Sequence, residues 1–188
     1  MKFTPTPLAG AWLIDLEPRT DERGLFARTV CQEEFARHGL NAAFVQQSVS
    51  WNPTAGTLRG LHFQMPPFGE DKLVRVTRGS VFDVIADIRP DSATFGRCFS
   101  IELSADNRRQ IYIPKGFAHG FLSLEPDTEV FYQMTTSYQP DAALGIRWDD
   151  PALSIAWPTT ANLLIGDNDR KLPLLASATV AAALGKNR

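Results

Sequence analysis

Lys72-Leu-Val-Arg-Val-Thr-Arg-Gly-Ser-Val-Phe-Asp-Val-Ile-Ala-Asp-Ile88 decides the fold class. Apolar residues recur at alternate positions on both sides of Arg78-Gly79, the pattern of two half-buried strands joined by a tight turn. The alternation continues in Phe44-Val-Gln-Gln-Ser-Val-Ser50, Cys98-Phe-Ser-Ile-Glu-Leu103, Gln110-Ile-Tyr-Ile113, Phe121-Leu-Ser-Leu124 and Glu129-Val-Phe-Tyr-Gln-Met-Thr-Thr136. Short strands separated by Gly and Pro predict a mainly β protein, a sandwich or barrel, with a jelly roll as the natural candidate. The flanks read differently. Cys31 to His38 is compatible with a helix, and Gly39 follows as its C-cap. From Leu172 the tail is rich in Ala and Leu, with Pro173 near a helix start and Gly185 near its end. The expectation is a single domain over 1–188: an N-terminal lead 1–43, a jelly-roll barrel 44–150, and a C-terminal segment and helix 151–188.

Composition narrows the partners. Of 188 residues, 19 are Lys or Arg and 21 are Asp or Glu, a formal charge of −2. So balanced a chain gives no electrostatic reason to expect nucleic acid or an anionic membrane as a partner. No window approaches the roughly 18 apolar residues of a membrane span, and Met1–Gly10 holds no apolar run of signal-peptide length. Cys31 and Cys98 show no CxxC spacing and read as small buried hydrophobes in a reducing compartment, so the cytoplasm is the expected location.

Three histidines occur: His38, His62 and His119. His38, beside Gly39, is expected at the surface. His62 stands in Thr57-Leu-Arg-Gly-Leu-His-Phe-Gln64 and shares a strand face with Gly60 and Gln64. Arg59 falls on the opposite parity unless Gly60 introduces a bulge. Taken alone, a strand histidine is more often a satisfied core residue than a catalyst. His119 lies in Ile113-Pro-Lys-Gly-Phe-Ala-His-Gly120, expected as a turn that delivers an imidazole to the start of a strand. This segment has the P-x-G-x-x-H form found in cupin barrels. Many cupins bind a metal through H-x-H and a glutamate, but Leu61-His-Phe-Gln64 offers one histidine and no second. No metal is therefore expected. An imidazole free of metal suits a general base at neutral pH. A base needs an orienting partner, and carbanion charge needs a cation or acid nearby. Lys72 opens a strand and could face the barrel mouth, while Tyr132 could point inward as a proton donor. Asp83, Asp87 and Asp169 are the carboxylate candidates, and spacing does not choose among them.

Several strings, in order, resemble the dTDP-4-dehydrorhamnose 3,5-epimerases. They are Asp21-Glu-Arg-Gly-Leu-Phe26, Leu58-Arg-Gly-Leu-His-Phe-Gln64, Lys72 to Val84, Asp87-Ile-Arg89 and Ser92-Ala-Thr-Phe-Gly96. Glu102-Leu-Ser-Ala-Asp-Asn107, Ile113 to Phe121 and Gly145-Ile-Arg-Trp-Asp-Asp-Pro151 complete the set. The resemblance covers about Asp21 to Pro173 and implies a cupin-type jelly roll, usually a homodimer. It implies a nucleotide-diphosphate 4-keto sugar as substrate and no cofactor. It makes His62 the base, Asp169 its orienting partner, Lys72 the stabiliser of the enolate oxygen, and Tyr132 the proton donor on the opposite face. Arg23, Phe26, Gln46, Arg59, His119 and Tyr138 occupy the family's substrate-binding positions. Three positions depart from the family's habit: Arg28 and Ala143 stand where glutamate is common, and Ser48 where asparagine is. A ketoisomerase, which shares the deprotonation but moves the carbonyl, and a non-catalytic sugar-nucleotide-binding cupin are the alternatives.

Overall fold

Gly79 turns the chain where the alternation pauses. Its φ of +72° suits glycine, and a β-carbon there would run into Thr128 Oγ1. The structure, a computed structural model, describes residues 1–177, 180, 181, 184 and 185. In chain order the elements are β1 (Lys2–Pro5), β2 (Trp12–Asp15), β3 (Arg19–Asp21), β4 (Gly24–Phe26), α1 (Gln32–Arg37), β5 (Gln46–Asn52), β6 (Thr57–Gln64) and β7 (Lys72–Arg78). There follow β8 (Ser80–Asp87), β9 (Cys98–Ser104), β10 (Gln110–Ile113), β11 (Phe117–Ser123), β12 (Thr128–Met134), β13 (Ala143–Gly145), β14 (Leu164–Ile165) and α2 (Asp167–Arg170).

Two sheets form a jelly roll, one in the order β1-β2-β10-β7-β12-β5 and the other β13-β6-β11-β8-β9. Strand β14 adds to β6 in parallel, and β3 with β4 makes a separate hairpin. Val74, Val76 and Val130 of the first sheet meet Val81, Ile85, Phe117 and Phe121 of the second in the central core. The first sheet is covered outside by α1 through Phe35, which packs with Ile14, Leu73 and Tyr112. The second is covered by irregular chain, with Ile146, Leu153 and Leu175 lying on Phe63, Val84 and Ala118.

Three expectations need correction. The lead expected over 1–43 supplies β1 and β2, which pair with each other and with β10, so the first sheet starts at Lys2. β8 is not half-buried: every residue but Phe82 is buried, because the covering segment seals its outer face. His119 lies within β11 rather than at its start. The C-terminal helix expected after Pro173 lies partly outside the described residues. Within them, Leu172–Leu174 is not helical, while Ala181 N–H donates to Ser177 O and Leu184 N–H to Val180 O at helical spacing. His38 is exposed as expected, and its ring stacks on Phe3. Cys31 and Cys98 are half-buried free thiols. Burial, with Asp150 nearby, pushes the Cys98 thiol up to about 12, which suppresses its thiolate.

Asp87 ends β8 with a fully buried carboxylate. It accepts hydrogen bonds from Arg89 (2.6 and 2.9 Å), Ser92 (2.6 Å) and Thr94 (2.6 Å). Burial works to raise its pKa, but those donors outweigh burial and hold it at about 2, against an ordinary 3.8. The group therefore stabilises the fold fully above pH 3.8, and that stability is lost as pH falls through about 2. The difference is worth about 2 kcal/mol. Unfolding free energies measured by denaturant titration between pH 5 and 2 are expected to show this loss, and to show less of it in Asp87→Asn. A variant with the parental pH dependence would remove Asp87 as its source.

Candidate active site

The site is built around an irregularity in β6. In the ladder with β11, His62 faces His119 and Arg59 faces Phe121, so Gly60 and Leu61 together oppose the single residue Gly120. This bulge returns Arg59 to the face of His62, the alternative left open by parity. Gly60 permits it with φ +108°. A β-carbon there would lie 2.6 Å from His119 O and 2.7 Å from Gly120 Cα, so no larger residue fits.

The pairing of β14 with β6, Leu164 opposite Thr57 and Ile165 opposite Leu58, lays α2 beside the bulge. Asp169 Oδ1 then sits 2.7 Å from His62 Nε2, and Oδ2 accepts the Gly60 N–H at 3.0 Å. Burial acts to raise the Asp169 pKa, but the hydrogen bond and charge of His62, the Gly60 N–H and Arg59 outweigh it and hold the carboxyl below its ordinary range. An ionised carboxylate has no proton to give, so Nε2–H is the donor, and in the neutral imidazole the lone pair is on Nδ1. The His62 side chain is 49% exposed and that of Asp169 only 14%. The imidazole is open while its partner is shielded.

His62 and Asp169 line a cavity of about 540 Å³ together with Gln64, Glu70, Lys72 and Tyr138. They also border a neighbouring cavity of about 500 Å³ that includes Arg59. Arg59 Nε donates to Asn52 Oδ1 at 2.8 Å. Lys72 Nζ lies 3.1 Å from Glu70 Oε1, with both side chains nearly buried.

Across the central core from β6 and β11 lies the inner face of the first sheet. Tyr132 packs against the central core, and its ring meets His119 edge-on at 6.0 Å. Because His119 is the ladder partner of His62, Tyr132 confronts the face that carries the imidazole. Burial, reinforced by the charge of Asp83, pushes the phenol well above its ordinary pKa, with Arg59 offsetting part. It stays protonated at neutral pH. His119 is fixed by Asp83, whose Oδ2 lies 2.8 Å from Nε2 with both groups buried. Gln46 is the ladder partner of Met134 and accepts the Tyr138 N–H through Oε1 at 2.8 Å.

The structure therefore gathers His62, Lys72, Tyr138 and Asp169 around one cavity, puts Arg59 on the neighbouring one, and sets His119 against Tyr132 and Gln46 against Tyr138. It does not bring Arg23 or Phe26 there. Both lie on the β3–β4 hairpin, lining a different hollow, with Phe26 76% exposed and Arg23 paired to Asp21. Of the other carboxylates, Asp83 serves His119 and Asp87 is structural. Among the departures, Ala143 lines the His62 cavity and Ser48 is the ladder partner of Tyr132. Arg28 instead pairs with Glu34 of α1. Sequence reasoning missed Glu70 as a partner of Lys72 and gave Gln64 no role beyond its face; the one local signal was that Gln64 shares that face with His62. Among the described residues no group of three or more His, Cys, Asp or Glu converges as a metal site.

The profile of the dTDP-4-dehydrorhamnose 3,5-epimerase family matches residues 5–177. The dTDP-4-dehydrorhamnose 3,5-epimerase of Escherichia coli K12 is 46% identical over 160 residues, covering 84% of this chain and 86% of that one. A crystal structure of the Bacillus anthracis dTDP-4-dehydrorhamnose 3,5-epimerase, with TDP and PPi bound, superposes with a TM-score of 0.89 at 42% identity, covering 93% of this chain and 99% of that one. ChmJ, a 3'-monoepimerase from Streptomyces bikiniensis seen with dTDP-quinovose, gives a TM-score of 0.87 at 31% identity over 97% of this chain and 90% of that one. With a cupin-type jelly roll that carries a carboxylate-held histidine in its cavity, and with these matches across most of its length, the chain belongs to the dTDP-4-dehydrorhamnose 3,5-epimerase family.

Proposed function

We propose that the protein epimerises a dTDP-linked 4-keto-6-deoxy hexose at carbons 3 and 5. The observation that carries this reading is the His62–Asp169 pair opening into the cavity that also holds Lys72. His62 Nδ1 takes the proton from the carbon beside the ketone. The C–H electrons form the enolate double bond, and the oxygen charge develops where the Lys72 ammonium favours it. Tyr132 then delivers its proton from the other face, and the stereocentre is inverted. Protons move and no electrons are gained or lost, so the isomerisation needs no redox cofactor. Carbons 3 and 5 both flank the ketone, so one base and one acid serve both in turn. Arg59, steadied by Asn52, suits the diphosphate because its fork binds phosphate oxygens in pairs.

The enzyme works as a homodimer in the cytoplasm. A dimer is supported by the edge strand β5, which exposes Val49 and Trp51, with Val45 exposed just before it, an apolar face suited to a second copy. It would also give the exposed Arg23 and Phe26 a substrate to meet, since they lie outside the cavity of their own chain. The free thiols suit a reducing compartment.

Incubation in heavy water with a panel of nucleotide-linked 4-keto-6-deoxy hexoses, read by NMR, tests the reaction. Deuterium at carbons 3 and 5 of the dTDP sugar, with both centres inverted, is expected. Label at neither carbon of any substrate overturns the epimerase reading, and a displaced carbonyl identifies a ketoisomerase. Label at carbon 3 alone, the outcome that matches the 3'-monoepimerase ChmJ, limits the reaction to one centre.

A further inference from the structure

We propose that Glu70 is a positioning residue for Lys72 and that Gln64 locks it in place; the inference rests on the epimerase reading, in which Lys72 meets the enolate oxygen. The Lys72 backbone is fixed by its ladder partners Ile113 and Met134. Its head is not fixed by the backbone, because four methylene groups separate them. An ammonium on so flexible a stem disperses unless something holds it, and an electrophile that wanders by about 1 Å loses much of its effect. Glu70 Oε1 holds it at 3.1 Å, in a setting where the Glu70 and Lys72 side chains are 11% and 13% exposed. One of the three ammonium donors is thereby used, and two remain for the cavity that Lys72 lines.

Glu70 is itself held. Gln64, buried on β6 two residues beyond His62, donates from Nε2 to Glu70 Oε2 at 3.1 Å. The same nitrogen reaches the carbonyls of Phe68 (3.1 Å) and Ser137 (3.4 Å). Its Oε1 accepts the Gln139 N–H at 2.6 Å. The amide orientation is thus set by backbone groups on both sides, which fixes the Glu70 carboxylate and through it the ammonium. The chain Gln64–Glu70–Lys72 ends in the wall beside His62. It also ties that wall to the segment bearing Tyr138, so the charge that meets the enolate and a substrate-binding ring share one support.

The test is a double-mutant cycle on the full-length protein, read as kcat and KM for solvent-deuterium exchange, with melting temperature and dTDP affinity measured alongside. Glu70→Gln keeps the shape and removes the charge. It is expected to lower kcat by about 10- to 100-fold, less than the 10²–10³-fold typical of deleting an oxyanion donor outright, with KM and dTDP affinity little changed. In a Lys72→Ala background the same substitution is expected to change nothing further, since its effect passes through the ammonium. A kcat at the parental level, or an equal loss in both backgrounds, overturns the proposal, because a merely structural carboxylate would act without regard to Lys72. Should Glu70→Gln fail to fold, Glu70→Asp answers in its place: it keeps the charge, withdraws it by one methylene, and must show the same dependence on Lys72. A parent enzyme that exchanges no deuterium sinks the epimerase reading and the positioning role together. A parent that exchanges while Glu70→Gln matches it sinks the positioning role alone.

Discussion

His62→Ala is expected to lower deuterium uptake beside the ketone by about 10²–10⁴-fold, the usual contribution of a positioned general base, while nucleotide affinity is largely retained. The size of the effect follows from how much of the arrangement serves that single ring. Asp169 holds Nε2 at 2.7 Å and is kept ionised, which leaves the lone pair of Nδ1 for the substrate. Removing the imidazole does not strand the carboxylate, because the Gly60 N–H still bonds its other oxygen and Arg59 remains close. The fold should survive, and the loss should fall on the chemical step rather than on binding. Exchange at the parental rate in a folded His62→Ala protein would end the assignment of His62 as the base.

The parts of this molecule that sequence made legible are strands whose apolar residues recur with a regular period. β7 and β10 run over the spans read for them, with alternate residues sent to different clusters: Val74, Val76, Ile111 and Ile113 to the central core, Leu73 and Tyr112 to the cluster under α1. β8 misled, since its second face is sealed by chain from 146 onward whose irregular course leaves no periodicity to read. β3 and β4 escaped for the opposite reason: three residues each, exposed throughout, they bury nothing that could impose a pattern.

The site was legible in its residue types and illegible in its contacts. Gly60 did carry a signal, for a glycine inside a strand raises the possibility of a bulge, and that bulge unites Arg59 with His62. Nothing local could tie His62 to Asp169, 107 positions away, or His119 to Asp83 in preference to Asp87. The family resemblance supplied the first pair. The register of β8 against β11 sets Asp83 and Asp87 two residues to either side of Ile85, which faces His119, so the second was decided by Arg89, Ser92 and Thr94 engaging Asp87 and leaving Asp83 to the imidazole. The link from Glu70 to Lys72 spans only two residues, yet it depends on how the loop after β6 folds back, and no pattern of types encodes that.

Tyr132→Phe separates the two proton transfers. The ring keeps its packing in the core and its edge contact with His119, and only the phenolic oxygen is lost. Inversion is expected to slow by about 10²–10⁴-fold, because the enolate has lost its acid on that face. Exchange should persist. His62 still abstracts the proton, and with half of its side chain open it trades that proton with heavy water before returning it. The product of the variant is therefore substrate labelled with retention, accumulating faster than any inverted sugar. The parental phenol suits the donor role because burial and the Asp83 charge keep it protonated, while Arg59 stands ready to steady the phenolate once the proton has gone. Equal slowing of exchange and inversion would show that Tyr132 does not act on the opposite face, and would leave its ring as packing alone.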